Sequence, residues 1–282
     1  MTHAPVLVGI DGTRDGEIAL TWAASYATLQ DAPLHAVYVI DDDEPGPGAS
    51  ESGHDSRPDD GAEVLDRTAQ ELDRIGFPDA TLDVHHGRPA QVLLDLAERS
   101  AALVVGRRGM GGFAELVLGS TSQVCTALST DVPLIVVPDT WDPSAPAHGR
   151  IVVGIDGSID GQDALQFAFE LAAATHSGIL GVHACGFRDD DHTQAPPNNT
   201  CDDLVTQALA GWAAKYPDVP VETRTVIDHA VPVLARESAD ADLMVVGGVG
   251  QTAFSELRLG SVARGLLFHS QCPVAVVHHQ EY

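Results

Sequence analysis

Gly106-Arg107-Arg108-Gly109, nine residues, then Gly119-Ser120: this stretch recurs as Gly247-Gly248-Val249-Gly250, nine residues and Gly260-Ser261. Each copy follows an apolar run, Leu103-Val104-Val105 in one and Leu243-Met244-Val245-Val246 in the other. Such a run predicts a buried strand. The glycines predict a loop whose backbone N–H groups approach a ligand with no Cβ in the way. Ser120 and Ser261 suit the cap of a new helix, whose N-terminus attracts anions. These residues point to a phosphate-binding loop in each half of the chain.

Outward from the two loops, the same plan is laid down twice. Each half opens with Val-Gly-Ile-Asp-Gly (Val8 to Gly12; Val153 to Gly157). Strands are predicted at Val6 to Ile10, Leu34 to Ile40, Thr81 to Val84, Leu103 to Val105 and Leu134 to Val137, with helical spacing between them. Pro89 suits a first helical position. The second set of strands falls at Ile151 to Ile155, Ile179 to His183, Val221 to Val226, Leu243 to Val246 and Val274 to Val277. The Pro/Asp-rich stretch Pro138 to Pro146 reads as a linker. Two domains follow, 1–140 and 149–282. Strands alternating with helices predict an α/β class, two tandem doubly wound domains, each a five-stranded mostly parallel sheet covered by helices on both faces. Two loops, from Asp41 to Asp60 and from Gly186 to about Thr200, are rich in acidic and turn-forming residues. The cluster Asp41-Asp42-Asp43-Glu44 could attract a cation, although like-charge runs are usually solvated.

The loop spacing resembles the nucleotide-binding signature G-x2-G-x9-G-[ST] of the universal stress protein family, intact in both halves. The openings just quoted and the closing runs Asp131 to Pro138 and Cys272 to Val277 extend the resemblance over almost the whole chain, in the tandem form found in actinobacteria. The resemblance implies ATP as ligand, with Mg²⁺ possible beside it. It places Asp11-Gly12 and Asp156-Gly157 near ribose and phosphates, and the backbone of Val39 and Ala184 against the adenine edge. Gly106, Arg107, Gly109, Gly119, Ser120 and Thr121 would hold the phosphates in the first half; Gly247, Gly248, Gly250, Gly260, Ser261 and Val262 would do so in the second. It also implies a strand order that reverses between strands one and four, and a homodimer, with Leu134 to Val137 and Val274 to Val277 as edges that must be covered. The halves could meet each other there, leaving a homodimer to use other surface.

Charge narrows the partners. Fifteen basic residues against 41 acidic give a net charge of −26, which opposes attraction to nucleic acid or to anionic membrane. The N-terminus has no leader pattern, and no apolar run approaches the roughly 20 residues of a membrane span. A cytoplasmic protein is expected. Cys125, Cys185, Cys201 and Cys272 form no Cys-x-x-Cys pair, so thiols are expected rather than a disulfide framework or a zinc knuckle. His85-His86 and His278-His279 lie in or beside predicted strands, where neighbours point to opposite faces, and do not read as a shared metal site.

Rival chemistries can be compared directly. Lys215 is the only lysine, which removes the Gly-x4-Gly-Lys-[Ser/Thr] phosphate loop. Gly109-Met110-Gly111-Gly112-Phe113-Ala114 and Gly248-Val249-Gly250-Gln251-Thr252-Ala253 fit a G-x-G-x-x-A dinucleotide fingerprint, yet that motif should run straight into its helix, not reach a second helix start ten residues on. No residue set stands out as catalytic. The reading is an ATP-binding regulatory protein of stress adaptation, with a slow ATP-hydrolysing enzyme and a nucleotide-free interaction module as alternatives. The two sites are expected to differ, because Arg107, Arg108 and Arg14 have neutral counterparts in Gly248, Val249 and Ile159, and a guanidinium offsets the repulsion a triphosphate meets.

Overall fold

The structure, a computed structural model, describes residues 3–41, 59–109, 118–128, 132–185, 198–250 and 259–279. In the first half the order is β1 (Val6–Ile10), α1 (Arg14–Leu29), β2 (Leu34–Ile40), α2 (Asp59–Arg74), β3 (Thr81–His86), α3 (Pro89–Ala97), β4 (Ala102–Gly106), α4 (Ser120–Leu128) and β5 (Leu134–Val137). The second half repeats it with β6 (Arg150–Gly154), α5 (Ile159–Thr175), β7 (Gly178–Ala184), α6 (Asn198–Lys215), β8 (Val221–Val226), α7 (Ala230–Glu237), β9 (Leu243–Gly247), α8 (Ser261–His269) and β10 (Val274–Val277). Pro89 does open its helix, where its missing N–H costs nothing.

The ten strands form one sheet, ordered β3-β2-β1-β4-β5-β10-β9-β6-β7-β8. Every pairing within a half is parallel, as between β1 and both β2 and β4. The two halves meet where β5 and β10 pair antiparallel, Ile135 opposite Ala275. Their last strands, the edges that needed covering, cover each other. Apolar runs without alternation make both buried along their whole length, as expected for strands with helices on both faces.

Alternation along each strand sorts the core into two layers. Val6, Val8 and Ile10 face the side of α1, α2, α5 and α6, with Leu20, Leu72, Phe169 and Leu209. Leu7, Leu103 and Val105 face the other side, packed by α3, α4, α7 and α8 through Leu93, Cys125, Leu234 and Leu266. Both layers run continuously through the junction. Above it Trp22 and Tyr26 of α1 stack at 5.3 Å, and Phe167 of α5 lies 6.4 Å from the Tyr26 ring. No helix among the described residues is long and apolar enough to cross a membrane.

Two expectations require correction. Cys185 and Cys201 are joined by a disulfide, not held as separate thiols. They lie 16 positions apart in the sequence, and only the packing of α6 against the end of β7 brings them together. Cys125 and Cys272 are free thiols, as expected, and both are buried. Ser120 and Ser261 are not caps: each is the first residue of its helix, and Gly260 takes the cap position of α8 with no side-chain bond. Asp42, Asp43, Glu44, the second loop over 186–197, and most of the dinucleotide-like stretches (110–114, 251–253) lie outside the described residues.

Candidate functional site

Strand order places the site. The sequence of strands reverses between β1 and β4 in one half and between β6 and β9 in the other, and a crevice opens at the carboxyl ends of strands where such a reversal occurs. The Asp-Gly pair and the glycine loop emerge on either side of that crevice.

The Asp-Gly turn is built from side chain as well as backbone. Gly12 has φ +75° and Gly157 φ +78°, a left-handed conformation that glycine adopts without penalty. Beyond it, Asp11 Oδ1 accepts from the Thr13 N–H at 3.0 Å and the Thr13 hydroxyl at 2.6 Å. Thr13 then caps α1, its Oγ1 accepting from the Gly16 N–H at 3.3 Å. Asp156 and Ser158 repeat this at 2.9 and 2.6 Å, and Ser158 caps α5. One carboxylate oxygen therefore fixes the turn, and the other points toward the glycine loop.

That second oxygen meets the glycine loop. A Cβ on Gly109 would stand 2.7 Å from Asp11 Oδ2, and one on Gly250 would stand 2.8 Å from Asp156 Oδ2. The first glycine of each loop serves a different neighbour. A Cβ on Gly106 would lie 2.8 Å from the Asp15 carbonyl oxygen, and one on Gly247 would lie 2.9 Å from the Gly161 nitrogen, so the first turns of α1 and α5 pack directly on the strand ends. From those turns Asp15 Oδ2 accepts the Arg108 N–H at 3.2 Å, and Asp160 Oδ2 accepts the Val249 N–H at 2.9 Å. Burial first, and then Asp139, push the Asp15 carboxyl above its ordinary range.

The third glycine explains the spacing. Gly119 N–H donates to the Arg107 carbonyl at 2.8 Å, and Gly260 N–H donates to the Gly248 carbonyl at 2.6 Å. The third glycine thus sits back against the start of the loop, immediately ahead of α4 or α8. Ser122 Oγ donates to the Gly106 carbonyl at 2.7 Å and fastens that helix to the loop. Ser120 and Thr121, like Ser261 and Val262, then lie in a first helical turn, where backbone N–H groups have no partner within the helix.

Two loop residues are committed elsewhere. The Arg107 guanidinium, only 8% exposed, is paired with Asp139 and donates to the Ser270 carbonyl of the other half at 3.2 Å. It ties the halves together. Gly248, its counterpart, lies under the imidazole of His278; a Cβ there would be 2.0 Å from His278 Cε1. Arg108 is less engaged, with its side chain 42% exposed and its Nη1 3.7 Å from Asp139. Val39 and Ala184 stand at the same rim of the sheet as the aspartates, since β2 runs parallel to β1 with Tyr38 beside Ile10, and β7 runs parallel to β6.

Sequence reasoning passed over Thr13, Asp15, Ser158 and Asp160. Their signal is the pentapeptide Asp-Gly-[Thr/Ser]-x-Asp, present as Asp11 to Asp15 and as Asp156 to Asp160. Its middle residue caps the helix and its last residue holds the loop.

Residues 3–138 and 148–278 each match the universal stress protein family. The chain is 29% identical over 302 residues to universal stress protein Rv1996 of Mycobacterium tuberculosis, covering 98% of this chain and 95% of that protein. The crystal structure of a universal stress protein from Archaeoglobus fulgidus DSM 4304 superposes with a TM-score of 0.73 at 20% identity, covering 99% of this chain and 98% of that one. The universal stress protein from Archaeoglobus fulgidus in complex with dAMP is 21% identical over 49% of this chain and 98% of its own, with a TM-score of 0.35. With the family matched twice over nearly its whole length, and with the fold and loop geometry repeated in both halves, the chain belongs to the universal stress protein family.

Proposed function

We propose that the chain is a cytoplasmic, ATP-binding regulator of stress adaptation, with one nucleotide site in each unit, 1–140 and 149–282. The observation that carries this reading is the duplicated contact of a loop-facing carboxylate with a loop glycine, Asp11 with Gly109 and Asp156 with Gly250. The same close approach at both switch points sets each carboxylate edge to edge with its glycine loop, so that a ligand lying over the crevice would meet both together.

The donors suit the parts of ATP. Backbone N–H groups of the glycine loop and of Ser120, Thr121, Ser261 and Val262 offer hydrogen bonds and the positive end of a helix to phosphate. Asp11 and Asp156 would repel phosphate and so suit a ribose hydroxyl, or phosphate approached through Mg²⁺. The Val39 and Ala184 backbone supplies the rim for adenine. In a chain of charge −26 these local donors must offset a long-range repulsion, which is a reason to bind the nucleotide as its magnesium complex. A homodimer would use surface other than β5 and β10, which are consumed within the chain.

Denaturing freshly purified protein and identifying the released small molecule by mass spectrometry tests the reading, together with calorimetry using ATP and Mg²⁺. Recovered ATP, or binding of two equivalents per chain, supports it. ADP accompanied by turnover would make the protein an enzyme, and NAD would favour the dinucleotide fingerprint. Absence of both a bound molecule and a calorimetric signal would leave only an interaction module. Light scattering well above micromolar concentration reads the dimer.

A further inference from the structure

His183, Cys185 and Cys201 converge at the carboxyl end of β7. One ring nitrogen and two sulfurs lie within 4.8 Å of one another, the only such group of three possible metal ligands among the described residues. His183 and Cys185 are two residues apart at the end of a strand and so share a face. Cys201 reaches them from the first turn of α6. Both cysteines are buried and the histidine is half-buried.

The imidazole is held by the backbone. Its Nδ1 lies 2.6 Å from the Ile155 carbonyl oxygen. A carbonyl only accepts, so the proton sits on Nδ1 and the lone pair on Nε2. Metal-binding histidines are held by this kind of backbone hydrogen bond, which fixes the tautomer and the ring plane.

The duplicated fold supplies an internal control. By strand register, Tyr38 and Ile40 occupy the positions of His183 and Cys185. Across from them in α2 is Gly61, whose Cβ would meet the Ile40 and Tyr38 side chains at 3.5 and 3.6 Å. The first half closes this corner with apolar contacts, so neither the fold nor the crevice requires sulfur and imidazole there.

We propose that the reduced second half holds one zinc-class divalent cation on Cys185, Cys201 and His183, and that the disulfide is the metal-free oxidised form. Two thiolates and an imidazole favour zinc over magnesium or calcium, and three protein ligands leave a fourth position for water. Reduction by a dithiol breaks the Cys185–Cys201 bond. Two electrons and two protons pass to the sulfurs, and the dithiol closes to its own disulfide. Metal binding then displaces two thiol protons. Reoxidation by a disulfide of the same class reverses the electron flow and releases the ion. In any compartment with a reducing thiol pool the pair stands as thiols. The proposal is independent of whether the crevices hold ATP.

The test uses the full chain, reduced with a phosphine, desalted without oxygen, and titrated with Co²⁺ and then Zn²⁺. The denatured protein should give four thiols after reduction and two before, since Cys125 and Cys272 are free and buried, their thiols pushed up to about 12. Reduced protein should take up one Co²⁺ per chain, with thiolate-to-cobalt charge-transfer and tetrahedral visible bands, and Zn²⁺ should displace it. Oxidised protein should take up none. Cys201→Ser should abolish the charge-transfer signal. His183→Ala, which leaves both cysteines in place, should weaken binding by no less than the roughly 10- to 100-fold that even outer-shell partners contribute. Absence of stoichiometric binding in reduced, thiol-counted protein overturns the proposal. So does binding unchanged by oxidation or by His183→Ala.

Discussion

Replacing Gly109 with alanine tests whether the Asp11 carboxylate, held edge to edge with the glycine loop, touches the ligand. The new methyl carbon would stand 2.7 Å from Asp11 Oδ2, about 0.7 Å short of ordinary contact. Gly109 is not among the positive-φ glycines, so the backbone accepts alanine and the strain falls on the carboxylate. Asp11 cannot retreat as a unit, because its Oδ1 holds the Thr13 N–H and hydroxyl. It must swing Oδ2 out of the crevice and lose whatever hydrogen bond that oxygen makes to a nucleotide. A hydrogen bond to a charged group is worth about 1.5–3 kcal/mol, so the first site should lose about 10- to 100-fold in ATP affinity. Gly250→Ala should do the same to the second site through Asp156, where the corresponding approach is 2.8 Å. Calorimetry on each variant and on the double variant, with circular dichroism as the control for folding, reads the effect. A folded Gly109→Ala protein that binds two equivalents of ATP with the parental affinities would refute the reasoning.

Gly248→Ala should cost about 1–3 kcal/mol of stability by overpacking against His278, and most of that should return in the Gly248→Ala, His278→Ala double variant, measured by urea denaturation. Burial holds the His278 imidazole below its ordinary value of 6.5, against the opposing pull of Asp160; the folded state then binds fewer protons than the unfolded state just below that pH. Stability from this residue is therefore complete above about 6.5 and declines as pH falls toward the folded value, and His278→Asn should flatten that part of a pH–stability curve. Arg107→Met leaves Asp139 only its looser pair with Arg108 and leaves the Ser270 carbonyl without its donor, and should cost about 1–3 kcal/mol; an unchanged urea midpoint would contradict this. Gly119→Glu and Gly260→Glu should each block one site by bulk and charge, and calorimetry should leave the weaker site in the first variant and the tighter site in the second.

The fold was legible because it rests on local pattern. Buried strands appear as continuous apolar runs, and Leu134–Val137 and Val274–Val277 have the ends their apolar content suggests; Leu34–Ile40 and the exposed edge strand Val221–Val226 also begin and end on the apolar residues that bound them. β3 runs on to His86, beyond its apolar stretch, because it continues to pair with β2 as far as Ile40, and pairing leaves no mark on the residues themselves. Strand order came only with the resemblance, since no local pattern says which strands lie side by side. The disulfide was illegible for the same reason: Cys185 and Cys201 become neighbours only through the packing of α6 on β7.

Within the site, the glycine spacing was legible but the duties behind it were not. Arg107 looked like a phosphate ligand because it follows the first glycine of a phosphate-type loop and carries the charge a triphosphate would seek. The structure turns it instead toward Asp139 and the Ser270 carbonyl. At the matching position of the second loop Gly248 makes room for His278, the residue just past β10. In each loop the first variable position packs beside the segment that follows the half's own last strand, Asp139 after β5 and His278 after β10, and Arg107 alone reaches across to the other half. That leaves Arg108 against Val249 as the loop difference open to a ligand, with the Arg108 side chain 42% exposed and 3.7 Å from Asp139. An exposed guanidinium shared with a carboxylate contributes little, so the first site should remain the tighter, but by less than the sequence contrast of two arginines with none suggests.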